Sequence, residues 1–257
     1  MTFRLALPAL LALVLLTTGC SSVSYTTPGK PADLKVFGVT PAAEREKLTD
    51  YQIRQELDRK PLATFPANLC LVRVQDPQYK NYRHHQGYGR GAYAVVLTRD
   101  IETDEHMDTI RDLPMVAGLT TVNRMIVPRE LETDMQLRQA AAKMHAQILL
   151  LYTLDTEFVD INKASPVDVV TFGFGEHKQI RITTTASAVL MDVRNGYIYG
   201  LAESTATHEQ PTNSWNNEER VDESRRKTEA EAFDQLVGQV GQTWKGVVAT
   251  YAVPAGG

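Results

Sequence analysis

Two carboxylates, Asp155 and Glu157, stand two residues apart at the end of the apolar run Ile148–Tyr152, with Asp160 beyond them. On an extended strand, residues i and i+2 share a face, so the pair can converge for acid–base work. The end of a central strand is a common ligand position in open α/β sheets. The same residues also suit a strand that is leaving the sheet for water, and that is the expectation adopted. His84-His85 and the segment Gly87-Tyr88-Gly89-Arg90-Gly91 are the other chemistry-bearing residues. Adjacent histidines on a strand point to opposite faces, and no cysteine or carboxylate follows at zinc-site spacing, so no metal site is expected. A phosphate-binding loop needs Lys-Ser/Thr after its glycines and a helix behind them. Here Ala92-Tyr93 and a strand pattern follow, so the glycines read as a loop between strands, and no cofactor is expected. No Gly-x-Ser-x-Gly nucleophile setting occurs. The chain is expected not to be an enzyme. A hydrolase using the carboxylates near Asp155 stands as an alternative.

Cys20 has a chemistry of a different kind. It ends a stretch in which Arg4 is followed by the apolar run Leu5–Leu16 and then by Thr17-Thr18-Gly19. The run has the length of a secretory signal core and falls short of the roughly 20 apolar residues that cross a membrane. The stretch resembles a bacterial lipoprotein signal peptide, with the small Gly19 before the modified cysteine and Thr17 where a leucine is usual. The resemblance implies removal of residues 1–19 and acylation of Cys20, palmitate included, which anchors the chain stably once more than one acyl chain is present. Ser21 follows, where an aspartate would signal retention in the inner membrane. The implied address is the outer membrane, lipid-anchored, facing the periplasm.

Composition agrees with a folded body in that compartment. The 257 residues are 43% hydrophobic, and 27 Lys and Arg face 31 Asp and Glu. Mild net acidity, with no basic cluster, opposes nucleic-acid binding. Beyond Cys20 the only cysteine is Cys70, inside Leu69-Cys70-Leu71-Val72, which reads as a buried strand residue with no disulfide framework.

The elements that would position these residues follow from periodicity and punctuation. Residues 20–43 are rich in Ser, Thr, Pro and Gly and read as a flexible tether. Residues 44–65 read as a flanking helix and a connection, and 66–257 as one α/β domain. Strands are expected at 67–76, 92–98, 122–127 and 148–156, with a short helix at 104–113. Thr133 and Gln136 have capping-box spacing, and Leu137, Ala140, Ala141 and Met144 fall on one face of a helix over 133–145. Asn195-Gly196 marks a hairpin of type I′ pairing 180–193 with 197–208. That register puts Val189, Met191, Val193, Ile198 and Ala202 on one face, and Leu190, Tyr199 and Leu201 on the other. The polar ends of both strands are expected to be exposed or at an edge. A long helix over 217–251 closes the chain, with a charged, solvated first half and a stripe from Phe233 to Tyr251 against the sheet. The fold class is α/β: a mixed sheet with a β-hairpin, packed helices and a long C-terminal helix.

This order of elements, with Ala140–Tyr152 and the hairpin turn Leu190-Met191-Asp192-Val193-Arg194-Asn195-Gly196, resembles a group of envelope lipoproteins over residues 66–251. The group includes the curli secretion pore lipoprotein, the lipoprotein activators of penicillin-binding proteins and the amino-terminal domain of the Tol system's periplasmic protein. The resemblance implies a non-catalytic module that binds or assembles with envelope proteins. The alternative it implies is a homo-oligomeric, secretion-pore-type subunit. The apolar stretch Val167–Gly175 is the expected partner contact, through Phe172 and Phe174.

Overall fold

Strand β1 (Ala67–Gln75) carries two apolar sets, Leu69/Leu71 and Cys70/Val72/Val74, that alternate between opposite faces. Such a strand needs cover on both sides, and the fold supplies it. The computed structural model describes residues 31–37, 50–79, 90–162, 178–211 and 218–252. Within them run a 3-10 turn (Leu34–Phe37) and four helices, α1 (Asp50–Asp58), α2 (Asp104–Arg111), α3 (Asp134–Lys143) and α4 (Glu218–Tyr251). The remaining strands are β2 (Arg90–Gly91), β3 (Ala94–Val96), β4 (Val116–Thr121), β5 (Glu130–Leu131), β6 (Ile148–Asn162), β7 (Lys178–Asp192) and β8 (Ile198–Pro211). The mixed α/β sheet expected from the sequence is present.

On one edge of β1, β4 pairs in parallel from Ala67 to Leu71, and β3 then pairs antiparallel from Arg73 to Gln75. On the other edge β6 pairs in parallel, Leu69 with Ile148 through Val72 with Leu151. β7 and β8 continue the sheet antiparallel. Helices α2 and α4 cover the face bearing Leu69, Leu71, Leu150 and Leu190. Helix α3 covers the face bearing Cys70, Val72, Leu149 and Leu151. Helix α3 begins as expected, with Gln136 Oε1 accepting the Thr133 N–H at 3.1 Å and the Glu132 N–H at 2.7 Å. Its buried side chains Leu137, Ala140 and Ala141 meet β6. On the opposite face Trp244 of α4 is fully buried and donates its indole N–H to Pro114 O at 2.7 Å.

Several expectations are corrected. The strand expected over 122–127 lies earlier, at Val116–Thr121. Asn123 starts a turn instead, its Oδ1 accepting the Met125 N–H and its carbonyl the Ile126 and Val127 N–H groups. An Asn side chain that bonds its own backbone competes with a strand ladder. The strand expected over 92–98 shrinks to Ala94–Val96. Arg90-Gly91 form a two-residue parallel pairing with β5. Gly91 has φ +100°, and a Cβ there would sit 2.5 Å from the Leu131 carbonyl oxygen, so this close approach requires glycine. Residues 31–37 fall within the expected tether, yet Ala32 and Phe37 are buried against the α3-side core, with the Phe37 and Tyr93 rings edge-on at 4.8 Å.

The hairpin is present, but not as type I′. Of its Asn-Gly pair only Gly196 is left-handed, at φ +76°. A register shift then follows: Met191 pairs with Ile198 while Leu190 pairs with Gly200, leaving Tyr199 as the extra residue. One extra residue flips every later side chain to the opposite face. Ala202 therefore packs on the α4 side, while Leu201 is opposite Val189 on the other face and is exposed, the reverse of the expected assignment.

Candidate functional site

Arg73 is a charged residue inside the apolar run of β1, on the face that α4 covers. It is buried, as are Asp222, Arg225 and Glu229 of α4. The first half of α4 was expected to be solvated by its charges; Glu219, Arg220, Glu223 and Lys227 are exposed, but Asp222, Arg225 and Glu229 turn inward. The reason lies in the strands beneath. At this level the facing residues of β6 and β7 are Thr156 and Thr184, polar and buried, and Thr156 Oγ1 donates to Glu229 at 3.0 Å.

The two guanidiniums meet at one phenol. Tyr79 Oη accepts from Arg73 at 3.1 Å and from Arg225 at 3.3 Å. Arg73 donates to Asp100 at 2.7 Å and lies 3.6 Å from Glu229. Arg225 forks onto Asp222 through Nε at 3.1 Å and Nη2 at 2.8 Å, and bonds Glu229 through Nη1. Glu102 accepts from Tyr152 and lies 3.9 Å from Arg73. Burial alone would push both guanidiniums down. The negative field of Tyr79, Asp100 and Glu229 on Arg73, and of Glu229, Tyr79 and Asp222 on Arg225, outweighs it and holds both above the ordinary arginine value. Burial, and then the Glu102 charge, raise the Tyr152 phenol. Both arginines are therefore fixed cations, and the arrangement is a closed internal ion cluster tying β1, the segment 97–103 and α4 together.

A cleft of about 60 Å³ reaches this cluster where β4 gives way to β3 along the edge of β1, lined by Arg73, Arg99, Glu102 and Tyr152 among apolar residues. Pockets for small organic ligands run to several hundred Å³. This one has room only for a few waters. Sequence reading missed the cluster. The available signal was Arg73 itself, a charge in the middle of a strand otherwise buried on both sides.

Asp155 and Glu157 do share a face of β6, opposite Thr185 and Thr183 of β7. Asp155 is half-buried, Glu157 exposed, and burial followed by the charge of Glu157 raises the Asp155 carboxyl. They do not line the cleft. They belong to an open, polar sheet face with its own cross-strand pairs. Thr183 and Thr207 hydroxyls are 3.3 Å apart and Thr185 and Thr205 hydroxyls 3.2 Å, Ser187 donates to Glu203 at 3.1 Å, and Arg181 donates to Glu209 at 2.7 Å. Cys70 is buried, and burial pushes its thiol up to about 12, which leaves it protonated and unreactive at neutral pH. Cys20, His84, His85, Phe172 and Phe174 lie outside the described residues, as does the side chain of Asp160. Among the described residues no cluster of metal-ligating side chains occurs, and no helix is long and apolar enough to cross a membrane.

The open face exists because three strands outrun the rest of the sheet. β1 stops pairing with β6 at Val72–Leu151, while β6, β7 and β8 continue to Asn162, Lys178 and Pro211. Where β1 and β6 diverge, the Gln75 carboxamide stands in for a peptide group. It donates to Leu154 O at 3.0 Å and accepts from Leu154 N at 3.2 Å and Thr153 Oγ1 at 2.6 Å. Fifteen residues of strand span about 50 Å, and the 34 residues of α4 span about 51 Å. The helix is thus long enough to cover one face of the extension. Among the described residues nothing covers the opposite face: Glu157, Val159, Arg181, Leu201, Glu203, Thr205, Thr207 and Glu209 are all exposed there.

Comparison with described protein families and with curated proteins finds no match. Among solved structures, the chain is similar to a hypothetical protein from Chlamydia trachomatis at 10% identity, over 72% of this chain and 98% of that one, with a TM-score of 0.27.

Proposed function

We propose that this chain is a non-catalytic envelope lipoprotein, held at the periplasmic face of the outer membrane by acylated Cys20, that binds or assembles with protein partners. The observation that supports this reading most is the projecting β6–β8 sheet, with one face covered by α4 and the other, among the described residues, bare. The charges of the Arg73–Arg225 cluster neutralise one another inside the fold, whereas the open face offers broad polar surface with scattered apolar side chains. The attachment to the anchored end is firm. Leu62 and Ala63 N–H groups donate to Asp192 Oδ2 at 2.7 and 2.8 Å, and Asn195 donates to Lys60 O at 2.7 Å. Nearer to Cys20 the chain is held as well, with Ala32 N–H donating to Thr153 Oγ1 at 3.1 Å, so load on the tether would enter the core at residues 31–37 first.

The test is mass spectrometry of the mature chain together with crosslinking in intact envelopes. The expected results are a diacylglyceryl group on Cys20 and discrete adducts with other proteins. A retained leader, an unmodified Cys20, or the absence of any adduct contradicts the proposal.

A further inference from the structure

β8 is an edge strand of 14 residues that pairs, among the described residues, only with β7. Natural edges of this length are guarded by Lys, Pro or bulges. Between Gly200 and Gln210, β8 contains no Lys, Arg or Pro and its register with β7 is unbroken. Two bonds tie it to α4 from one side. Ser204 Oγ donates to Ala232 O of α4 at 2.6 Å, and Thr243 Oγ1 donates to Leu201 O at 3.3 Å. The open stretch begins after that carbonyl.

The charge beside this edge is one-sided. Among the described residues, the bare face carries Asp155, Glu157, Glu203 and Glu209 against one cation, Arg181. Along β8 the two glutamates are separated by Thr205 and Thr207 on the same face, while Ser204 and Ala206 point to the α4 side. We propose that the β8 edge accepts an extended, basic segment of a partner protein as an added strand, with the pattern Lys-Xaa-Thr-Xaa-Thr-Xaa-Lys. The two cations lie opposite Glu203 and Glu209, six residues apart, and β-branched residues between them lie opposite the threonines. Main-chain bonds supply affinity and alternate side chains supply specificity, as in other strand-addition complexes. One register of a second copy is disfavoured: antiparallel self-pairing about Ala206 sets Glu203 against Glu209, and like charges directly opposite are destabilising. This inference rests on the proposed partner-binding function and names the edge and the partner's chemistry.

The probe is the fluorescein-labelled peptide Lys-Ser-Thr-Val-Thr-Ser-Lys, titrated with the detergent-solubilised full chain at low salt and read by anisotropy. Two further peptides carry N-methyl groups on alternate residues, one on the Ser/Val/Ser set and one on the Thr/Thr set. The expected result is saturable binding, lost at least tenfold with one methylated peptide and kept with the other. Glu203→Lys lowers affinity at least tenfold, and the milder Glu203→Gln lowers it less. No binding of the parent peptide, equal binding of all three peptides, or wild-type affinity in Glu203→Lys overturns the proposal. So does a dimer in sedimentation that Glu203→Lys dissociates, since it makes a second copy the occupant. If the peptide fails while envelope adducts form through another face, the edge is wrong and the partner-binding function stands. If both fail, both are wrong.

Discussion

At the scale of single residues, the ion cluster decides what a substitution costs. Arg225 neutralises Asp222 and Glu229, and all three side chains are buried. Removing it strands two buried carboxylates, a loss of about 3–5 kcal/mol for a buried pair broken on one side. Arg225→Met is expected to lower stability in chemical denaturation by that amount, and adding Glu229→Gln is expected to recover part of it. An unchanged midpoint in Arg225→Met would show that the cluster is solvated. Asp155 acts in the opposite sense. Its carboxyl is raised by burial and by Glu157, so the native state holds its proton more tightly than the unfolded chain does. The ionised group then costs stability above its folded pKa, and the cost vanishes as pH falls below the unfolded value near 3.9. Asp155→Asn is expected to melt higher than wild type at pH 7, with the difference closing toward pH 4. A lower melting temperature at pH 7 would mean that the carboxylate makes a favourable interaction with a partner group.

At the scale of elements, one buried side chain gathers most of the bonds that hold the connection at 59–63, beside the Asn195 bond to Lys60 O. Asp192 accepts from Leu62, Ala63, Arg194 and the Tyr199 hydroxyl. Asp192→Ala leaves those donors without their acceptor and is expected to cost on the order of 3 kcal/mol. It also releases the segment, so trypsin is expected to cut after Arg59 faster than in the wild type. Equal cleavage rates would contradict the clamp. The sequence announced such elements unevenly. Helix α3 was legible because its cap and its apolar face are local patterns, and so was the Phe233–Val247 stripe of α4. The Tyr199 bulge was not, because the alternation of apolar residues along β8 fits two registers and only packing against α4 chooses between them. β4 was passed over because Val-Ala-Gly-Leu-Thr-Thr is less apolar than the Val122–Val127 segment, which Asn123 turns aside. The buried charges of α4 were read as solvated because their partners, Arg73, Tyr79 and Asp100, lie more than 100 residues away in sequence.

At the scale of the whole molecule, the layers divide labour. The proximal sheet, between α3 on one side and α2 and α4 on the other, holds the apolar core. The distal strands of β6–β8, backed among the described residues by α4, present surface on the other face. The Asp192 clamp joins the incoming chain to the end of β7 from which those strands extend. An anchored body built this way can hold its open face at a distance from its tether. Thr207 lies on that face, and Asp108 is an exposed residue of α2 on the other side of the sheet. The deciding measurement places a photoreactive amino acid at either position in the native lipoprotein and irradiates intact envelopes. The account predicts a discrete protein adduct from position 207 and none from position 108. Adducts from 108 alone, or from both positions equally, would contradict it.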